Sequence, residues 1–384
     1  MKRNRKSLVI LLLFALPLFA YALACGMVAP GLQGEVNEAA AHYSKEHNDT
    51  AVWLLVEKNG EKAKGAAGFA DRQKQLYASR DQMFEIGSAS KVFTGVAIFQ
   101  LIEAGKLSLD TKLSQFYSKD TILKLADFHG KNYFGEVTVG MLLRHRSGFV
   151  DYLNVFGSDA KTIGHFRDKR KRYTFDDIVA LAASHGEANF RPGEKFRYCN
   201  TGYIILGDII EKVSGMSWRK YIRTHIIQKA GMEHTWFGSQ MPEKLRQNMP
   251  QGHAGGKPTF MPPTLAGSAG EIVSTLDDLA RFMKAWGEGR LYAKPKTLKF
   301  QMTQGFVKMD PAIENLKYGY AIMRIDGFYG HGGQTFGFQS YMAYNPKSKE
   351  LYIVGTNDAY VSAMDLFFEM AGLKLRTTLE KLQK

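Results

Sequence analysis

Strand-like stretches gather at the two ends of this chain and leave the middle to helices, a distribution that constrains the fold more than any other feature. Near the start, Ala51-Val52-Trp53-Leu54-Leu55-Val56 is a short apolar run closed by Asn59-Gly60. Asn-Gly supplies the positive φ angles of a two-residue hairpin turn, so Gly65 to Ala70 can return as the partner strand. Near the end come Tyr318 to Ile325, the turn Asp326-Gly327, Phe328 to Gly332, Gln339 to Tyr344 and Leu351 to Gly355. Between them, from about 107 to 275, the pattern reads as mostly helical. Thr138 can cap a helix from Val139 to His145. Ser274 or Thr275 can cap another, with Asp278 placed to complete a capping box from Thr275. Helices are also expected from Gly34 to His47 and, amphipathic, from about Ser362 to Leu382. Lys91 to Ala104 is apolar nearly all round and closed by Gly105, the pattern of a buried helix. The expected class is α/β (α+β): an antiparallel sheet built from both chain ends, flanked by helices, with a mostly helical inserted lobe.

The first residues read differently. Lys2, Arg3, Arg5 and Lys6 precede an apolar run from Leu8 to Ala24 broken only by Pro17, with small residues at Ala22 and Ala24. That is the pattern of a secretory signal over 1–24, leaving a single domain from 25 to 384; an uncleaved anchor helix is the alternative. Export to the periplasm or the outside is expected. Cys25 at the cleavage point adds lipid anchoring as a second possibility, although Ala22-Leu23 transposes the usual Leu-Ala order. The other cysteine, Cys199, reads as a packed free thiol, since two distant cysteines make no disulfide framework. Of the formal charge of +14, four units sit in the signal, leaving +10. Such a protein is drawn to anionic envelope surfaces. The basic run Arg167 to Arg172, broken by Asp168, reads as a solvated loop, and no nucleic-acid recognition motif accompanies it. Ten histidines include no His-Glu-x-x-His. His145, His185, His225 and His234 lack ligand spacing and read as structural, so neither a metal nor a cofactor is expected.

Gly87-Ser88-Ala89-Ser90-Lys91 stands at the head of the buried helix. Free N–H groups and the positive end of the helix dipole favour negative charge developing near Ser88. Lys91, three residues on, lies one turn away on the same face. A serine hydroxyl is a weak nucleophile that needs a base. A lysine partly desolvated at a helix N-terminus has lowered basicity, so it can serve directly or through another group. Alone, Ser-x-x-Lys equally describes a helix cap beside a surface lysine. Tyr198-Cys199-Asn200 and, later, Gly330-His331-Gly332-Gly333 keep it company. Ser-x-x-Lys, Tyr-x-Asn and a His-x-Gly strand, in that order, resemble the three motifs of the penicillin-recognising serine hydrolases, whose fold is β-lactamase/transpeptidase-like. The branch is similar to class C β-lactamases, D,D-peptidases and related esterases. Leu142-Leu143-Arg144-His145-Arg146-Ser147-Gly148, Leu107-Ser108-Leu109-Asp110 and Ser268-Ala269-Gly270 through Asp278-Leu279 match the same branch. The resemblance covers roughly Ala51 to Asn357.

The resemblance implies that Ser88 is acylated, that Lys91 tunes the proton network and that Tyr198 is general base and then proton donor. A phenol is protonated near pH 7, so either nearby positive charge stabilises a phenolate or Lys91 is neutral and shares the proton. Asn200 is expected to bond Lys91 and the substrate, and the N–H groups of Ser88 and Gln334 to form the oxyanion hole. Many relatives carry Lys-Thr-Gly where this chain has His331-Gly332-Gly333. A neutral histidine and a glycine offer a substrate carboxylate neither ammonium nor hydroxyl, while the glycines let substrate backbone approach. Esters, amides and short D-amino-acid peptides are therefore the expected substrates. D,D-carboxypeptidase or weak β-lactamase action is one alternative, and a non-catalytic penicillin-binding sensor or scaffold another. Phe260, Met261 and Tyr341 are candidates to line the acyl pocket. A lipase-like reading of Gly330 to Gly333 fails, because no Gly-x-Ser-x-Gly elbow follows. Oligomeric state is not legible.

Overall fold

The structure is a computed structural model that describes residues 31–153 and 171–377. The signal, Cys25, residues 154–170 with most of the basic run, and 378–384 lie outside the described residues. One eight-stranded sheet carries the fold. In chain order its strands are β1 (Val52–Lys58), β2 (Glu61–Ala67), β3 (Val307–Lys308), β4 (Lys317–Tyr318), β5 (Met323–Ile325), β6 (Phe328–Gln334), β7 (Gln339–Tyr344) and β8 (Leu351–Thr356). Their order across the sheet is β3-β4-β5-β6-β7-β8-β1-β2, antiparallel throughout. The join between chain ends is the β1–β8 ladder, in which Leu54 faces Val354 and Leu55 faces Ile353.

Both faces of β1 are buried, which explains its continuous apolar run. Alternate residues point opposite ways. Val52, Leu54 and Val56 pack beneath α1 (Leu32–Glu46) and α5 (Ala363–Ala371), with Val36, Ala40, Leu366 and Phe367. Trp53 and Leu55 enter the larger core, shared with α2 (Ser90–Glu103), α3 (Asn200–Ser214) and α4 (Leu276–Gly287). The β1–β2 hairpin turns at Asn59 and Gly60, with φ of 55° and 82°, as the dipeptide requires. β2 starts at Glu61, four residues before the expected return.

Four expectations need correction. The run Tyr318 to Ile325 is two strands, because Ala321 adopts φ 60° and gives its N–H to Leu143 O. The last helix stops at Ala371, where Gly372 takes the left-handed cap conformation. Asp278 does not close a capping box. Thr275 Oγ1 accepts its N–H, but its buried carboxylate turns to His234 N–H, Thr235 Oγ1 and Arg281. The span 107–275 is also less helical than its pattern suggests. Beside α3 it holds short helices and small ladders, such as Asp127–Phe128 with Lys131–Asn132. Ile272–Ser274, with Trp236–Phe237 and Phe84–Glu85, forms a three-stranded sheet that ties this span to the nucleophile turn.

Candidate active site

Ser88 sits in a tight 3₁₀ turn, Gly87–Ala89, that feeds α2. α2 is a core element: Phe93 stacks on Phe282 at 3.7 Å, and Val96, Ala97 and Ile98 are fully buried. Lys91 is carried inside with them and exposes none of its surface. Its Nζ meets three oxygens: Ser88 Oγ at 2.9 Å, Asn200 Oδ1 at 2.7 Å and Ala269 O at 2.8 Å. No carboxylate among the described residues reaches ion-pair distance. Burial lowers the amine to about 7, against the opposing pull of Asp151 and Cys199. A neutral amine fits these contacts, accepting from the Ser88 hydroxyl and donating to Asn200 and Ala269.

Asn200 opens α3, and Tyr198 precedes the cap residue Cys199. The Tyr198 phenol is buried and pushed well above its ordinary range, first by desolvation and next by Tyr318, while Ser88 favours the ionised form. Its hydroxyl makes no hydrogen bond of good geometry among the described residues. Lys91 Nζ lies 5.0 Å from the ring centre. Of the two arrangements left open by the sequence, the neutral lysine is the one these surroundings support. Asn200 is oriented by Asp151, whose Oδ2 accepts both its N–H at 2.7 Å and its side-chain Nδ2–H at 2.8 Å. Asp151 Oδ1 accepts Leu153 N–H. Burial raises the Asp151 carboxyl, and the Asn200 and Leu153 bonds and Lys91 oppose the rise. Sequence reasoning missed this role. The partner is 49 positions away, and a lone aspartate in an apolar stretch carries no local signal.

β6 lies against the nucleophile turn. A Cβ on Gly333 would come within 1.9 Å of Ile86 O, and one on Gly87, itself at φ 49°, within 2.6 Å of Gln334 N. Glycine at both places lets the two backbones interlock, bringing Gln334 N–H beside Ser88. Ser340 Oγ donates to Ile86 O and braces the same turn. His331 differs from the expectation of direct substrate contact. Its ring is buried, with Nδ1 donating to Gly332 O and Nε2 accepting from Tyr318 at 2.9 Å. Burial, followed by the Lys91 charge, pushes it down to about 3, so it is neutral at physiological pH.

A cleft of about 320 Å³ opens on Ser88, Tyr198, Asn200 and Gln334, walled by Tyr152, Leu153, Met261 and Phe336. His331, Gly332 and Gly333 do not border it, and none of its described wall residues is charged. A neighbouring cavity of about 270 Å³ shares Met261, Ala266, Gly270 and Thr335 with it, and includes Phe260 and Glu85. Tyr341 is on the other face of the sheet, stacked on Phe367 at 4.7 Å, because its neighbour Met342 takes the inward position.

A serine oxygen bonded to a buried, weakly basic lysine, facing a phenol beside a strand edge, defines the centre of a serine hydrolase. The chain belongs to the Beta-lactamase family, which it matches over residues 36–369. It is 28% identical over 349 residues to penicillin-binding protein 4 of Amycolatopsis lactamdurans, covering 85% of this chain and 86% of that one. D-amino acid amidase from Ochrobactrum anthropi SV3 superposes with a TM-score of 0.73 at 21% identity, over 88% of this chain and 99% of the other. D-stereospecific amidohydrolase from Streptomyces does so with a TM-score of 0.72 at 25% identity, over 88% and 98%.

Proposed function

We propose that this chain is an exported hydrolase that opens neutral esters, amides or short D-amino-acid peptides through an acyl-enzyme on Ser88. The observation that carries the proposal is the 2.9 Å contact between Ser88 Oγ and a fully buried Lys91 lowered to about 7. As Oγ attacks the carbonyl, its proton passes to the Lys91 amine. The resulting oxyanion is met by the N–H groups of Ser88 and Gln334. Tyr198 gives its proton to the leaving amine or alcohol, and the Lys91 ammonium returns one to the phenolate. Water then repeats the attack on the acyl carbon and frees Ser88.

The substrate class follows from charge. A penicillin, or a peptide cleaved at its free C-terminal D-alanine, carries a carboxylate next to the scissile bond, which needs a cation or several donors to leave water. The described cleft wall offers no charged group, and His331 is neutral and turned inward. Acyl donors without a carboxylate fit better, and the solved structures on which the chain superposes include a D-amino acid amidase and a D-stereospecific amidohydrolase. Export rests on the signal-like residues 1–24, with lipid attachment at Cys25 as its variant.

The test is a hydrolysis panel with wild type and Ser88→Ala: p-nitrophenyl esters, D-amino-acid amides, D-alanyl-D-alanine peptides and a chromogenic cephalosporin. Ester and amide turnover should exceed cephalosporin turnover and vanish in the variant. Fast cephalosporin turnover would overturn the substrate assignment. A trapped acyl-enzyme without turnover would make the protein a sensor. For export, the mature protein recovered from cells should begin at Cys25; a chain that keeps its first 24 residues contradicts it.

A further inference from the structure

We infer that His145 is a positioning residue for Tyr198, holding the phenol where it can protonate the leaving group; this rests on the proton-donor role given above. The Tyr198 hydroxyl has no well-formed partner among the described residues, so within them the ring is placed from its backbone and its faces. His145 does both. Its carbonyl accepts the N–H of Arg197 at 3.0 Å, and its ring Nδ1 accepts the N–H of Cys199 at 3.0 Å. The two amides that flank Tyr198 are therefore held by one residue. The imidazole also lies against the phenol, with ring centres 4.1 Å apart, and contacts Tyr318 at 4.6 Å and Tyr203 at 5.1 Å behind it.

Backbone geometry makes the double grip possible. His145 adopts φ 54°, uncommon for a residue with a Cβ. That turn aims carbonyl and side chain at the same strip of chain. The tautomer follows from the partners. Nδ1 is also 3.2 Å from Cys199 O, but a cap residue's carbonyl starts the ladder of its helix, and no other acceptor serves the Cys199 N–H among the described residues. Nδ1 is therefore the bare nitrogen and Nε2 carries the proton. Nε2 has no partner among the described residues, so the ring's hydrogen bond within them goes to the segment bearing Tyr198. Burial, followed by the charges of Lys91 and His331, moves the ring well below its usual range and favours the neutral, accepting form.

The experiment separates leaving groups. An amine must be protonated to depart, whereas p-nitrophenolate departs unaided. A displaced Tyr198 therefore slows amides and spares activated esters, a split that general loss of structure does not produce. His145→Gly suits the backbone angle and removes the nitrogen. It should lower kcat on a D-amino-acid amide by roughly 30–100-fold and kcat on the p-nitrophenyl ester by no more than about threefold, with KM little changed. His145→Asn tolerates the same φ and puts Oδ1 near the Nδ1 position, so it should restore the amide-to-ester ratio. Equal losses on both substrates, no loss in the glycine variant, or an asparagine variant as selective as glycine would each overturn the inference. Should His145→Gly not fold, His145→Phe, which keeps the ring and lacks the nitrogen, takes its place under the same criteria. Tyr198→Phe is run alongside. Amide-selective loss there without it in the His145 variants rejects only the inference, and no selective loss in Tyr198→Phe rejects the proton-donor role itself.

Discussion

Lys64 and Lys91 are both held by oxygens at hydrogen-bond distance, and the two sites turn the same side chain to opposite ends. Lys64, on β2, meets Asp81 and Asp277 at 2.6 Å each. Its pKa rises: desolvation lowers it, but hydrogen bonds and attraction to the two carboxylates outweigh that effect. Lys91 is buried completely and meets a hydroxyl, an amide oxygen and a carbonyl. Neutral oxygens orient an amine without compensating the loss of water around its charge. Placement is thereby separated from charge stabilisation. The first lysine is a permanent cation, and the second is a base.

Replacement of each lysine should break the pair apart. Lys91→Met is expected to slow Ser88 acylation by about 10³-fold or more, within the range for a lost general base. Removing a buried amine should at the same time raise Tm at pH 7, by roughly 1–2 °C for each kcal/mol recovered in a chain of this length. The sign follows from proton binding. A lysine depressed in the folded state leaves the unfolded chain holding more protons between about 7 and the ordinary lysine value, so its contribution to stability improves as pH rises through that window. Stopped-flow acylation and calorimetry check both halves, and a loss of activity accompanied by a fall in Tm would contradict them.

Asp151→Asn sharpens the comparison by removing the largest source of negative potential on Lys91 and leaving one oxygen where two held Asn200 and Leu153. Acylation should fall roughly 10–100-fold, the scale for misplacing a group that contacts the reacting centre. The rising limb of the pH–rate profile should also move to lower pH, because Asp151 raises Lys91. A limb that stays put would mean the carboxyl is uncharged in the free enzyme. Lys64→Met, the smallest effect expected, should leave kcat unchanged and cost no more than about 1 kcal/mol of stability, as for a partly exposed ion pair. Urea titration measures it.

What was legible beforehand divides along the same line. The sheet joined from both ends could be read because β1, β7 and β8 carry period and apolarity locally, and Asn59-Gly60 names its own turn. The break at Ala321 could not, since the oxygen that accepts its N–H, Leu143 O, comes from a distant part of the chain. Ser88, Lys91, Tyr198 and Asn200 stand in short motifs, and the structure brings them together. Asp151 and His145 act on residues 49 and 54 positions away, and by its spacing alone His145 reads as one more structural histidine. His331 stands in a motif too. Its burial, and hence its neutrality, depends on Tyr318 from another strand.

The proposed chemistry requires Lys91 to be a free amine for much of the time at neutral pH. Nuclear magnetic resonance of ¹³C-lysine-labelled protein, with the Lys91 resonance assigned by its loss in Lys91→Met, reads this directly. A Cε titration with a midpoint near 7 is the predicted result. A Lys91 signal that stays that of an ammonium up to pH 10 would contradict the account.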